Sequence, residues 1–138
     1  MNTIQRPYTH VLDRLRTVGL RPTRQRLALA RLLFDHGDRH LTAEHLHSEA
    51  LHASIRVSLA TVYNTLHQFT AAGLLREIVV DAGRSYFDTN TSLHHHFFND
   101  NTGKLEDIHG DVVVANLPQA PPGHVITRVD VIVRITTV

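Results

Sequence analysis

The sequence predicts an α+β chain, an N-terminal winged-helix unit followed by a small α/β unit. Three observations predict this. Helical periodicity with cap signals fills the first half, and one hairpin pattern closes it. Beyond residue 90 the chain turns to short β-branched runs, interrupted by Pro118, Pro121, Pro122 and Gly123. Charge divides along the same line. Ten arginines and five carboxylates lie between Met1 and Arg76, against three basic and five acidic residues from Leu93 to Val138.

Each element has its own signal. Val11, Leu12, Leu15 and Val18 recur at helical spacing over Tyr8 to Val18, and Gly19 ends the run. Pro22 and Thr23 open a second helix through Leu27, Leu32 and Phe34, which stops near His36-Gly37-Asp38. Thr42 is an N-cap for a third helix through Leu46, Ala50 and Leu51, with Glu44 favourable in its first turn. Ser58 caps a fourth, with Val62, Leu66 and Phe69 on one face and Gly73 at its end. Ile78 to Val80, the turn Asp81-Ala82-Gly83, and Ser85 to Phe87 spell a β-hairpin. Helices followed by a hairpin describe a winged helix with an extra N-terminal helix.

The second unit is expected to run from residue 91 to 138, the first from 1 to 90, with the boundary near Thr89–Ser92. A strand over His94–Phe98 leads into a turn at Asn99–Gly103 and a short strand over Lys104–Ile108. A brief helix is expected over Asp111–Asn116 and a long strand over Val125–Val138. Such a strand leaves a valine-rich face exposed in a monomer, which suits a dimerisation unit.

Composition excludes several functions. The 138 residues and 42% hydrophobic content are enough for a core without a staple. With no cysteine, there are no disulfides, iron–sulfur clusters, cysteine nucleophiles or structural zinc held by four cysteines. No apolar run reaches membrane-spanning length, and Met1 to Arg6 lacks the apolar segment of a secretory signal, so a cytoplasmic protein with no membrane partner is expected. No His-Glu-x-x-His helix or comparable hydrolytic set occurs, which argues against an enzyme.

Between Arg14 and Arg31 stand six arginines and no carboxylate, a pattern suited to a polyanion such as double-stranded DNA. In a helix-turn-helix the second helix enters the major groove. Ser58, Ala60, Thr61, Tyr63 and Asn64 would then face the groove. Ser58 with nearby backbone N–H groups suits a phosphate, Asn64 an adenine, and Ala60 and Tyr63 thymine methyls. Tyr63 has an equal alternative as a half-buried core ring with its hydroxyl in water. Arg21, Arg24 and Arg26 suit phosphates or a narrow minor groove.

The densest chemical signal is Ser92-Leu93-His94-His95-His96-Phe97-Phe98. Neutral imidazole binds transition metals and is a usual axial ligand of haem iron. On a strand, His94 and His96 share one face and His95 takes the other. The remaining histidines carry less. His10, His36, His52, His109 and His124 read as solvated, while one or two of His45, His47 and His67 suit a second, weak ligand site.

Four motifs then carry a resemblance. Gly19-Leu20-Arg21-Pro22-Thr23-Arg24-Gln25-Arg26, His40-Leu41-Thr42-Ala43-Glu44, Ser58-Leu59-Ala60-Thr61-Val62-Tyr63-Asn64-Thr65-Leu66 and Gly73-Leu74 resemble the ferric-uptake-regulator (Fur) family over about Val11 to Lys104. The resemblance implies a homodimeric transcription factor on an inverted-repeat operator, typically a repressor, with a regulatory metal between its two domains. It implies ligands at His40, Asp88, His94 and His96, with Asp107 a further candidate, for iron, manganese or zinc. Two departures stand out. Asn99 and Thr102 occupy positions where many relatives carry zinc-binding cysteines, and His94-His95-His96 replaces a usual His-Asp-His. The latter is similar to the iron response regulator (Irr) subgroup, which implies haem bound at His94, His95 and His96 and control of iron and haem genes. A conventional metal-dependent repressor and a peroxide sensor using the same ligands are the alternatives.

Overall fold

The computed structural model describes residues 9–138. Tyr8, at the expected start of the first helix, and the Met1 to Arg6 stretch read for a leader lie outside the described residues. The chain divides into two compact units, one running to Thr91 and one from Ser92 to Val138.

Unit 1 is built from α1 (Thr9–Thr17), α2 (Arg24–Phe34), β1 (His40–Leu41), α3 (Ala43–His52), α4 (Leu59–Ala71), β2 (Arg76–Asp81) and β3 (Arg84–Asp88). Three helices begin the same way. Side-chain oxygens of Thr23, Thr42 and Ser58 accept the backbone N–H three residues on, from Arg26, His45 and Thr61. Each cap satisfies a donor the helix cannot, worth about 1 kcal/mol. Helix α4 ends where the Leu74 N–H reaches the Phe69 carbonyl at 2.9 Å, and Gly73 supplies the required positive φ of 84°. The apolar faces meet in one core through Val11, Leu15, Leu29, Leu33, Leu46, Val62, Leu66, Phe69 and Phe87. Phe34 and Phe69 lie 6.4 Å apart, and the Arg14 guanidinium covers the outer face of Phe34 at 4.5 Å.

The hairpin β2–β3 turns at Gly83 and forms the wing, with a register irregularity between Val79 and Asp81. Strand β1 joins its other edge, giving the order β1-β3-β2. Strand β1 has no signal of its own in the sequence, because two residues carry no periodicity. Its register sets His40 directly opposite Asp88.

Unit 2 contains β4 (His96–Asn99), β5 (Leu105–Asp107) and β6 (Ile132–Ile135) in the order β5-β4-β6, with β4 antiparallel to β5 and parallel to β6. Two expectations fail here. No helix forms over residues 111–116, where Gly110 precedes Val112-Val113-Val114, a β-branched run that resists helix formation. The long C-terminal strand shrinks to Ile132–Ile135, because β4 offers only four residues for pairing. Among its described residues unit 2 is a mixed three-stranded sheet. Among those residues no helix is long and apolar enough to cross a membrane.

After β4, Asn99 makes the turn. Its side-chain oxygen accepts the Asn101 and Thr102 N–H groups at 2.9 and 3.2 Å, and its carbonyl accepts the Gly103 N–H. The turn is tied to β6 by Arg134–Asp100 at 2.5 Å and by the Thr137 N–H on the Asn101 side chain.

Candidate metal centre

In unit 2 the sheet brings three donors together. His96 and Asp107 are direct partners across β4 and β5. His94 lies just before β4, and its ring reaches back to stand 4.5 Å from the His96 ring. Both Nε2 atoms are 3.3 Å from the same Asp107 oxygen, Oδ1. His96 is 1% exposed.

The hydrogen bond on the far side of His94 fixes what its Nε2 offers. Its Nδ1 stands 2.7 Å from the Ser92 carbonyl, which can only accept, so Nδ1 carries the proton. The neutral ring therefore turns a lone pair toward the Asp107 carboxylate, itself only an acceptor. Two acceptors at that distance need a cation between them, a proton or a metal ion. The spacing suits a metal: ligands about 2.1 Å from a tetrahedral ion lie about 3.4 Å apart. Two imidazoles and one carboxylate favour iron, manganese, cobalt or zinc over calcium. The Ser92 contact also resembles the outer-shell bond that orients metal-ligating histidines. The donor set fits an ion.

His95 does the opposite, and the three histidines do not form one cluster. Its Nδ1 accepts the Val131 N–H at 3.2 Å, so in the neutral ring the proton sits on Nε2. Asp107 stands beside both rings of the His94–His96 pair, so the donor set includes a carboxylate.

Unit 1 holds the other candidate ligands. His40 is half-buried and Asp88 is 1% exposed, on the paired strands β1 and β3. The Asp88 Oδ1 accepts the Asn90 N–H at 2.8 Å, an Asx turn that closes the wing. Arg39 anchors β1. Its guanidinium spans Leu32 and Glu49, while its backbone exchanges bonds with Thr89.

The residues of α4 expected to face a groove divide into open and occupied groups. Ala60 and Asn64 are exposed, as are Arg21 and Arg24 near α2. Ser58 is exposed, but its hydroxyl serves the cap and also bonds the Thr61 hydroxyl at 3.0 Å. Tyr63 packs half-buried against the core and stacks on His67, and its hydroxyl donates to Glu44 at 2.6 Å rather than standing in water. Arg26, expected to reach DNA, is held by Gln68 and the Arg21 carbonyl. Sequence reasoning missed Glu44 and Gln68. The signal for Glu44 was its place in the first turn of α3, but only the packing of α3 on α4 brings it to Tyr63.

His47 and His67 are likewise occupied. The His47 Nε2 meets the Val57 carbonyl at 3.1 Å, and His67 sits edge-on to Phe87.

Residues 17–133 match the model of the ferric uptake regulator family. The chain is 35% identical to the peroxide-responsive repressor PerR of Staphylococcus epidermidis over 69% of its length. It is 34% identical to the ferric uptake regulation protein of Cupriavidus metallidurans over 67% of its length. The matches span 63% and 66% of those relatives, so about a third of each lies outside the comparison. The fold is similar to the ferric uptake regulator of Pseudomonas aeruginosa, solved with manganese, at a TM-score of 0.67 and 24% identity, covering 91% of this chain and 96% of that one. On the extent of the family match and these identities, the chain belongs to the ferric uptake regulator family.

Proposed function

We propose that this protein is a cytoplasmic, metal-dependent transcriptional regulator, not an enzyme, that binds an inverted-repeat operator as a homodimer. Residues 1–90 form the DNA-binding domain and 91–138 the dimerisation and sensing domain. The observation that carries this reading is the convergence of the His94 and His96 Nε2 atoms on one Asp107 oxygen. His40 and Asp88, already opposed on β1 and β3, complete the ligand set from the first unit. A divalent iron, manganese or zinc ion is the proposed occupant. By linkage, an ion that favours the DNA-bound arrangement is itself held more tightly on DNA. Arg21, Arg24, Ser58, Ala60, Thr61, Tyr63 and Asn64 form the DNA face, with Ser58 acting through the helix terminus it caps. The exposed Val113, Val125 and Val133 of unit 2 suit burial against a second copy.

Fluorescence anisotropy on an operator duplex tests the reading. Chelation should abolish binding and manganese, ferrous iron or zinc should restore it, except in a His94→Ala/His96→Ala variant. Binding that is indifferent to chelator overturns it.

Haem regulation, implied by the Irr resemblance, draws less support. His96 is buried beside a carboxylate, and the neutral His95 tautomer protonates the nitrogen that an axial bond would need. A Soret shift lost on His95→Ala would reverse this preference. Peroxide sensing has a specific support in the similarity to PerR. Added oxygen on His40 or His94 after peroxide treatment of iron-loaded protein, read by mass spectrometry, would establish it.

A further inference from the structure

A second group of imidazoles lies in unit 1, on the outer face of α3. His45, Glu49 and His52 stand at i, i+4 and i+7 and so share one side of the helix. They border a hollow of about 470 Å³ together with His36, from the loop after α2. None of these residues belongs to the ligand set proposed above.

Two bonds prepare them for a cation. The His52 Nδ1 is 2.8 Å from the Ser48 carbonyl, so it bears the proton and the neutral ring presents Nε2 as a lone pair. The His45 Nε2 is 3.1 Å from the Glu49 Oε2, a spacing that one ion can bridge. Glu49 is held still by Arg39, whose two terminal nitrogens reach its two oxygens at 3.0 and 2.5 Å. Burial pushes the Glu49 carboxyl up, but the Arg39 hydrogen bond and charge, with His45 and His36 nearby, outweigh it and hold the group below the usual carboxylate range. A carboxylate has about four acceptor positions, so a charged Glu49 can serve a guanidinium and an ion together.

We propose that His45, Glu49 and His52, with His36 as a fourth donor, bind a second divalent transition ion of the imidazole-preferring class, nickel, copper or zinc. The site is weaker than the one in unit 2, because Arg39 shares its only carboxylate and His52 and His36 must both turn toward the His45–Glu49 pair. It also lies close to the ligand strand. Arg39 immediately precedes His40, and its backbone is paired with Thr89.

Nickel is the probe. Full-length protein is dialysed to equilibrium against micromolar free nickel and the bound metal counted per protomer. Two equivalents are expected for the unaltered chain, one for His45→Ala/His52→Ala and one for His96→Ala. Alanine on an exposed helix face keeps the fold, and circular dichroism verifies it. In the His96→Ala background, copper(II) loaded in place of nickel should show at least two nitrogen couplings by electron paramagnetic resonance, and Glu49→Gln should weaken its binding about tenfold. A His45→Ala/His52→Ala variant that still binds two equivalents overturns the proposal, as does an unaltered chain that binds only one.

Discussion

In unit 1, Phe34, Phe69 and Phe87 interlock with aliphatic side chains from four helices and the wing, and Thr65, Arg76 and Asp88 are buried alongside them. In unit 2 only Phe98, Leu105 and His96 among the described residues reach comparable depth, and one of the three is a candidate ligand. What unit 1 obtains from apolar burial, unit 2 takes from the Asn99 turn and from bonds joining that turn to β6. A small sheet with a thin core gains most from something beyond itself, and under the proposed function a bound ion or a second copy would supply it. The half proposed to sense metal is therefore the half whose stability a ligand can change most.

The largest expected effect separates the two cores. Phe69→Ala should cost about 3–5 kcal/mol and lower the thermal transition of the helical circular dichroism signal. Phe98→Ala should leave that signal nearly intact, since every described helix lies in unit 1. If Phe98→Ala melts the helices in step with the sheet, the two units share one cooperative core and the contrast between them fails.

Next is His96→Ala. Removing a direct ligand should weaken zinc or manganese binding at least about 100-fold, the upper end of what losing an outer-shell partner costs. Metal should also protect unit 2 from proteolysis in the unaltered chain and fail to do so in the variant. Protection that survives the substitution would detach stability from the ion.

Asn99→Ala probes the turn between β4 and β5. It removes the acceptor of two backbone N–H groups and should cost about 1 kcal/mol, read as a lower urea midpoint for unit 2 alone. An unchanged midpoint would mean that the strands, not the turn, hold the sheet.

How much of this was legible in the sequence follows the same division. The helices of unit 1 were readable because each carries a periodic apolar face, and three of them carry their own caps at Thr23, Thr42 and Ser58. Strand β1 was not, being two residues defined only by the partner they find in β3. In unit 2 local preference misled twice. Asp111 to Asn116 carries the β-branched run Val112-Val113-Val114, and of the strand expected over Val125–Val138 only Ile132–Ile135 finds a partner. For the candidate centre, strand alternation placed His94 and His96 on one side and His95 on the other. It could not show that Asp107 would stand across from His96, because that depends on the pairing of β4 with β5. Side-chain bonds between helices, Tyr63 to Glu44 and Arg26 to Gln68, leave no periodic trace at all.

The smallest effect concerns that first bond and tests whether the DNA face of α4 is as tightly set as the core beneath it. The hydrogen bond to Glu44 raises the Tyr63 phenol above its usual value, with burial and the Glu44 charge adding to it. A phenol raised in the folded state contributes stability that is complete below the unfolded value near 10. That stability is lost as pH climbs through the folded value. Phenolate absorbance should therefore show one late transition in the unaltered chain, which Tyr63→Phe removes and Glu44→Gln moves to lower pH. Operator affinity gives the functional counterpart. If Glu44 holds the ring where a thymine methyl meets it, Glu44→Gln should weaken binding a few-fold at that base pair and leave other positions alone. A uniform loss across the operator would instead assign Glu44 to the general stability of the helix pair, and the ring would owe its position to His67 and the core.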